Sequence, residues 1–375
     1  MVPTVLHCRG AVLPDAVVPP SPRGAARITC ADGRIIGIDA DASATIGIDA
    51  MALPGFIDLQ VNGGGGRDVA ETSDEALDAV ATASWQGGAV AFLPTLITAP
   101  FADLLQQLAR VADWIDRWRG QGAEPLGIHL EGPFLEVAGA HDESAFVDPT
   151  PDRVAALLEA ARGRLAMLTL APSRPGAPQA VAQLRAAGVC VALGHARSSA
   201  QMAACVDAGA NLVTHLFNAM GPLHHREPGV AGFALDEPRL TCSLICDGLH
   251  VHPTMVRNAF AILGPDRTLL VTDAAAPAGR PDGVYRLGRE EVVARGGEVR
   301  RADGALAGSA LTMDTAAQRF ATYLGPRCGP WTLARVGSTN AARLLGRDDF
   351  GQLIPGRRAC LTLLRPDGTL AAWRA

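Results

Sequence analysis

At 375 residues, with 48% hydrophobic and 19% charged side chains, the chain has the composition of a compact α/β protein with one large core and a small accessory module, and it excludes a disordered or fibrous chain. The net charge is -5 and Lys and Arg are scattered, so there is no basic footprint for nucleic acid. Eight cysteines stand without a CxxC pair and the N-terminus lacks a basic segment followed by an apolar run; the expectation is reduced thiols in a cytoplasmic protein.

The first ~50 residues read as short strands and turns, TVLHCRGAVL then AARITCADGRIIGIDA, with Asp32-Gly33 as a hairpin turn. From FIDLQV (56–61) the pattern becomes apolar strand, turn and amphipathic helix in repetition. Further strands are expected at 89–93, 126–131, 166–170, 190–194, 211–215, 241–246 and 268–272, and helices at 101–119, 151–161, 177–187, 199–208 and 253–262. Residues 79–102 carry no charge, but Gly87-Gly88, Pro94 and Pro100 break them, which favours a buried helix end plus a strand over a membrane span. Cys242 and Cys246 lie in the apolar run TCSLIC and read as buried thiols rather than metal ligands.

The last ~25 residues, with Asp367-Gly368 as a second hairpin, return to the character of the first 50. Eight short buried strands alternating with helices predict a (β/α)8 TIM-like barrel over 53–345, and the terminal segments 1–52 and 346–375 are expected to pair as a small β-sandwich domain.

Catalytic residues of such barrels project from the C-terminal ends of the strands. The polar residues at those places are Gln60 and Asn62 after the first strand, Glu131 after the third, His195 after the fifth, His215 after the sixth, His250 after the seventh and Asp273 after the eighth. Singly each has a structural explanation; His129 within GIHLEG, for example, reads best as a satisfied core histidine. Together they are several buried polar groups at one mouth, each costing on the order of 1–3 kcal/mol without a partner. A metal held by one carboxylate and two imidazoles satisfies three at once and keeps a coordination position open, and Asp273 stands where a general base is needed.

Gln60 and Asn62 occupy the x-polar-x-polar position where many metal-dependent hydrolases carry His-x-His. By itself this leaves two possibilities, a lost metal site or chemistry on one metal held elsewhere. GGGGRD (63–68) lacks phosphate-loop spacing and reads as a flexible loop. The segment THLFNAMGPLHHREPG gathers Asn218, His224, His225 and Arg226, and the planar fork of Arg226 suits an anionic group.

PGFIDLQVNG, HLEGPF, LGHARS, THLFNAM with HREPG, DGLHVHP, VTDA and LAGSALTM occur in that order, and the sequence thereby resembles the N-acetylglucosamine-6-phosphate deacetylases of the amidohydrolase superfamily, from about residue 54 to the C-terminal GQLIPGRRACLTLL. The resemblance implies removal of the acetyl group from N-acetyl-D-glucosamine 6-phosphate, with the N-acetylgalactosamine 6-phosphate reaction or another amidohydrolase activity as the alternative. It implies a homodimer acting on a small phosphorylated amino sugar, while charge and composition give no expectation of a membrane or nucleic-acid partner. It places the chain among the single-metal members, which carry Gln-x-Asn at positions 60 and 62. Glu131, His195 and His215 would ligate one divalent cation, zinc foremost, with iron, manganese or cobalt also accepted. Asp273 would be the base, while His141 and His250 would contact the sugar, His141 at the acetyl carbonyl. Asn218, the Ala219 backbone and Arg226 would hold the substrate and its phosphate, Arg226 across the dimer. Two departures stand out: Ser173, where an acidic residue is usual, and the loop GPLHHREPG.

Overall fold

The computed structural model describes residues 3–18 and 25–375. Its centre is a barrel of eight parallel strands: β1 (Phe56–Val61), β2 (Ala89–Ile97), β3 (Ile128–Glu131), β4 (Leu165–Leu170), β5 (Cys190–Leu193), β6 (Leu212–Val213), β7 (Thr241–Ile245) and β8 (Thr268–Val271). Parallel ladders join each strand to the next from β1 to β8. Closure between β8 and β1 runs through a bridge at Val61 and Ala274, where the Asn62 and Gly63 N–H groups donate to the Ala274 carbonyl at 2.7 and 3.0 Å, and through Thr272, which donates to the Asp58 carboxylate. Nearly every residue of these strands is buried, because each strand meets barrel interior on one face and helices on the other.

Helices α1 (Asp74–Gln86), α2 (Phe101–Arg117), α3 (Pro151–Ala161), α4 (Ala177–Ala186), α5 (Met202–Asp207), α6 (Gly229–Asp236), α7 (Pro253–Arg267) and α8 (Met313–Leu324) form the outer layer. Their starts follow local chemistry. Ser73 Oγ accepts from Ala76 N–H ahead of α1, and Thr150 caps α3 with Pro151 in its first turn. The uncharged run at 79–102 is divided between α1 and β2, as its glycines and prolines imply. The helix expected at 253–262 continues to Arg267 across a break at Gly264 (φ 66, ψ -178), which only glycine adopts readily. Among the described residues no helix is long and apolar enough to cross a membrane.

The chain termini meet in one seven-stranded sheet of order Leu370–Arg374, Cys360–Leu364, Ile48–Pro54, Thr4–Val12, Ala25–Ala31 and Arg34–Asp41, with Val17–Val18 beside the fourth. The sheet curls until its far edge meets the approach to Cys360: Ile35 N–H donates to Arg357 O, and Ala359 N–H to Gly33 O, at 2.9 and 2.8 Å. Leu6, Ile28, Ile35, Leu361 and Leu363 fill the enclosed space, a core separate from that of the barrel.

The structure departs from the sequence reading in two places. A three-stranded antiparallel flap, Gly283–Leu287, Glu290–Arg295 and Glu298–Arg301, follows β8, with Gly296-Gly297 turning its second strand into its third. The GGGGRD loop is also a hydrogen-bonded turn rather than an open loop. Gly63–Gly64 pairs with Arg67–Asp68, and Gly65 and Gly66 donate to the Ala278 and Ala276 carbonyls. A Cβ on Gly63 would lie 2.6 Å from Arg67 O, so the glycines here serve close backbone approach.

Candidate active site at the barrel mouth

The strand ends turn sharply where the site residues stand. His195, His215 and Asp273 have φ of 49°, 26° and 51°, a left-handed conformation that costs non-glycine residues on the order of 1–3 kcal/mol and persists where surrounding structure enforces it. Each turn swings a side chain over the barrel axis. The result is a cavity of about 170 Å³ lined by Glu131, His141, His195, His215, His250 and Asp273, with Asn62, Asn218 and Ala219 on its walls.

At its floor Glu131 Oε1, His195 Nε2 and His215 Nε2 form a triangle with edges of 3.2, 3.0 and 3.1 Å. His195 donates its Nδ1–H to the Val137 carbonyl at 2.7 Å, so its Nε2 carries a lone pair. That lone pair and the Glu131 carboxylate oxygen repel at this distance unless a cation lies between them. One carboxylate and two imidazoles are the donor set of an open catalytic metal site, so these residues fit a divalent cation.

Glu131, His141 and His195 also form a group whose donor atoms lie within 4.8 Å of one another, which would offer His141 as the third ligand instead. The tautomer argues against that choice. Thr98 N–H points at His141 Nδ1 (3.2 Å), with the Thr98 hydroxyl at 2.9 Å, so the proton of neutral His141 sits on Nε2, 3.4 Å from Glu131 Oε2. His141 is therefore a donor into the cavity. Burial keeps it neutral by lowering its pKa.

Burial alone would raise the Glu131 carboxyl, but the His141 Nε2–H donor and the imidazoles of His195 and His215 around it hold it well below the usual carboxylate range. Asp273 moves the other way, pushed up to about 6 by burial and by the Glu131 charge. Between the two lies Gln60, whose Nε2 donates to Glu131 Oε1 at 3.1 Å and to Asp273 Oδ1 at 3.0 Å. Thr214 Oγ1 donates to Gln60 Oε1 and fixes that amide orientation, and Asn62 Nδ2 adds a bond to Asp273 Oδ1 at 2.7 Å. Asn62 Oδ1 is buried without a protein partner, as is His215 Nδ1.

The remaining residues separate into those brought to the cavity and those left outside. His250 reaches it with Nδ1–H donated to Asp247 Oδ2 at 2.6 Å, and Asn218 braces its amide on the His215 carbonyl. Arg226 does not line the cavity; it is exposed with His224 and His225, whose rings lie 4.3 Å apart. Ser173 donates to Glu136 Oε2 at 2.5 Å, so a carboxylate is still present beside the position where an acidic residue was expected. His129 is the satisfied core histidine it was read to be, held between Thr95 and Thr169 with its pKa lowered to about 4 by burial. Cys242 and Cys246 are buried thiols. The sequence reading missed Thr98, Thr214 and Asp247, which orient His141, Gln60 and His250. The rule that finds strand-end residues would have found all three, Thr98 and Thr214 one residue beyond β2 and β6 and Asp247 two beyond β7.

The amidohydrolase family pattern matches residues 51–374. The N-acetylgalactosamine-6-phosphate deacetylase of Escherichia coli O157:H7 is 38% identical over 343 residues, 90% of each chain, and the N-acetylglucosamine-6-phosphate deacetylase of Bacillus subtilis (strain 168) is 35% identical over 85% of this chain and 82% of that one. Among solved structures, a mutant Mycobacterium smegmatis N-acetyl-D-glucosamine-6-phosphate deacetylase in complex with N-acetyl-D-glucosamine-6-phosphate superposes with a TM-score of 0.90 at 33% identity, covering 99% of this chain and 97% of that one. With a site of this geometry on this fold, and similarity along nearly the whole chain, the protein belongs to the amidohydrolase family, in its branch of N-acetylhexosamine-6-phosphate deacetylases.

Proposed function

We propose that the protein hydrolyses the acetamide of N-acetyl-D-glucosamine 6-phosphate to D-glucosamine 6-phosphate and acetate, with Glu131, His195 and His215 holding one divalent cation and Asp273 acting as base. The observation that carries this reading is the triangle of Glu131 Oε1, His195 Nε2 and His215 Nε2, open toward a cavity that also holds Asp273. When bound, the cation supplies Lewis acidity, which lowers the pKa of water and polarises the acyl oxygen; zinc suits the mixed donors best, and iron, manganese and cobalt are also compatible.

The chain's own groups do the rest. His141 offers Nε2–H to the acyl oxygen, where negative charge grows as the carbon becomes tetrahedral. Gln60 and Asn62 both donate to Asp273 Oδ1, leaving Oδ2 to take a proton from the attacking water. The water oxygen bonds to the acyl carbon. As the C–N bond breaks, Asp273 passes that proton to the nitrogen, which leaves as the amine; the second water proton departs with the acid, which ionises to acetate. His250, Asn218 and the Ala219 backbone hold the sugar.

The single-metal assignment draws support from Gln60. Its amide occupies the space between Glu131 and Asp273 and neutralises part of their repulsion by hydrogen bonding, where a second cation would otherwise be needed. Arg226 lies outside its own chain's cavity, which supports a role on the substrate phosphate of a neighbouring subunit in a homodimer. We assign residues 1–52 and 346–375 to an accessory module and 53–345 to the catalytic barrel. Eight free thiols, seven of them buried, support a cytoplasmic setting.

A second reading, N-acetyl-D-galactosamine 6-phosphate as substrate, is favoured by the 38% identity to the E. coli O157:H7 relative. Acetate release by zinc-reconstituted protein from both epimers and from unphosphorylated N-acetylglucosamine tests the proposal. Preference for the phosphorylated gluco sugar is expected. Preference for the galacto epimer selects the second reading, and no release from any of the three overturns both.

A further inference from the structure

We infer that the flap closes the acyl end of the cavity and that Leu287 limits the length of the acyl group removed; this rests on the deacetylase reading above. Leu287 ends the first flap strand, is 3% exposed, and lines the cavity together with Ile97 and Leu306. It is packed from behind by Val292, Ala294 and Val299 of the flap, and Ile97 and Ala140 join the same apolar cluster.

This apolar wall flanks His141. Ala140 precedes His141 in the chain, and Ile97 precedes Thr98, which holds the His141 ring. Three substituents on the acyl carbon need places. Oxygen belongs at His141 Nε2–H and the cation site. Nitrogen leads to the sugar, toward Asn218, Ala219 and His250. The alkyl group, one bond from the same carbon, is left facing Leu287, Ile97 and Ala140.

The wall is pinned in place. Gly288 N–H donates to the buried Asp68 Oδ2 at 2.7 Å, and Arg289 pairs with Asp103. A Cβ on Gly288 would stand 3.0 Å from Ile97 Cδ1, so flap tip and barrel are already in contact. A longer alkyl chain therefore meets packed side chains rather than a loop that can yield. Apolar pockets of this kind discriminate one methylene by roughly 10- to 200-fold.

The test compares kcat/KM for the N-acetyl, N-propionyl and N-butyryl amides of glucosamine 6-phosphate, reading the amine released by the metal-reconstituted protein. Wild type is expected to prefer acetyl over propionyl by at least about 10-fold. Leu287→Ala should raise the propionyl-to-acetyl ratio by about 10-fold, and the milder Ile97→Val, which serves if Leu287→Ala does not fold, should raise it by a smaller factor. An unchanged ratio in a folded variant, with wild type active on the acetyl substrate, overturns this inference alone. Absence of turnover of every amide by wild type, in the glucosamine and the galactosamine 6-phosphate series alike, overturns the deacetylase reading and this inference with it.

Discussion

The Gln60 carboxamide donates to two carboxylates at once and has its own oxygen held by Thr214, so Asp273 is presented to the cavity in one orientation. If Asp273 carries the proton, Asp273→Asn keeps the shape and removes the base. Its kcat should fall by about 10²- to 10⁴-fold while metal content, read by elemental analysis, stays that of wild type. Activity near wild type would take the base role from Asp273. Asp58, buried in β1 beneath the site, gives a different kind of prediction. Burial lifts its pKa to about 7, against hydrogen bonds from Thr272 and the Gln60 N–H that favour the charged form. A folded pKa above the unfolded one means the folded state binds the extra proton. The associated stability is present in full below about pH 4 and is lost as pH rises through about 7, a decline of roughly 4 kcal/mol from one group at 1.36 kcal/mol per unit. Asp58→Asn, which keeps the volume and cannot ionise, should flatten the change in urea-unfolding free energy between pH 5 and pH 8. An unaltered pH dependence would show that Asp58 is not the group responsible.

Among the elements, the first-strand loop and the flap depend on one another. Asp68 accepts from Ala70 N–H through Oδ1 and from Gly288 N–H through Oδ2, both at 2.7 Å, and its own N–H donates to Glu71. One carboxylate thus caps a helical turn and fastens the flap tip over the cavity. Asp68→Ala leaves two half-buried donors without their protein partner and should cost about 1–3 kcal/mol, at roughly 0.5–1.5 kcal/mol for each. Hydrogen exchange should speed up at Gly288 and along Gly283–Leu287 and leave the barrel strands protected. Uniform acceleration over the whole chain would mean the loss is global and that the flap has no separate anchor. Neither end of this contact is legible alone, since Asp68 and Gly288 are 220 residues apart.

At the scale of the whole molecule, the exposed Arg226 would complete the proposed site only from a second subunit. Arg226→Ala should raise KM for the phosphorylated sugar far more than for the plain one. If Arg226 acts in trans, mixing unfolded and refolded Arg226→Ala and Asp273→Asn subunits restores activity: half the dimers are hybrids, each with one complete site, giving roughly a quarter of wild type by random pairing. No restoration would place Arg226 in its own chain's site or remove it from phosphate binding. The terminal sheet is the other whole-chain feature. Cys360–Leu364 lies between Leu370–Arg374 and Ile48–Pro54, so deleting residues 360–375 exposes the edge of Ile48–Pro54 and should turn a discrete species into aggregate by size-exclusion chromatography.

The barrel was legible because its signal is local: each strand is a short apolar run with a polar residue at its end, and burial on both faces demands that pattern wherever the strand lies. Glu131, His195, His215 and Asp273 were found by the same rule. Ionisation and tautomer were not, because the lone pair on His195 depends on Val137 O and the Nε2 proton of His141 on Thr98 N–H, partners 58 and 43 residues away. The flap escaped for a related reason. Its strands are only half buried, so their apolar residues mark a surface that becomes a wall only once Leu287 meets Ile97. Composition and periodicity therefore determined the scaffold and where its polar residues stand. Which of those residues donate, which carry a lone pair and what encloses them was decided by contacts across the barrel mouth, because hydrogen-bond direction and packing belong to pairs of residues and not to any one position.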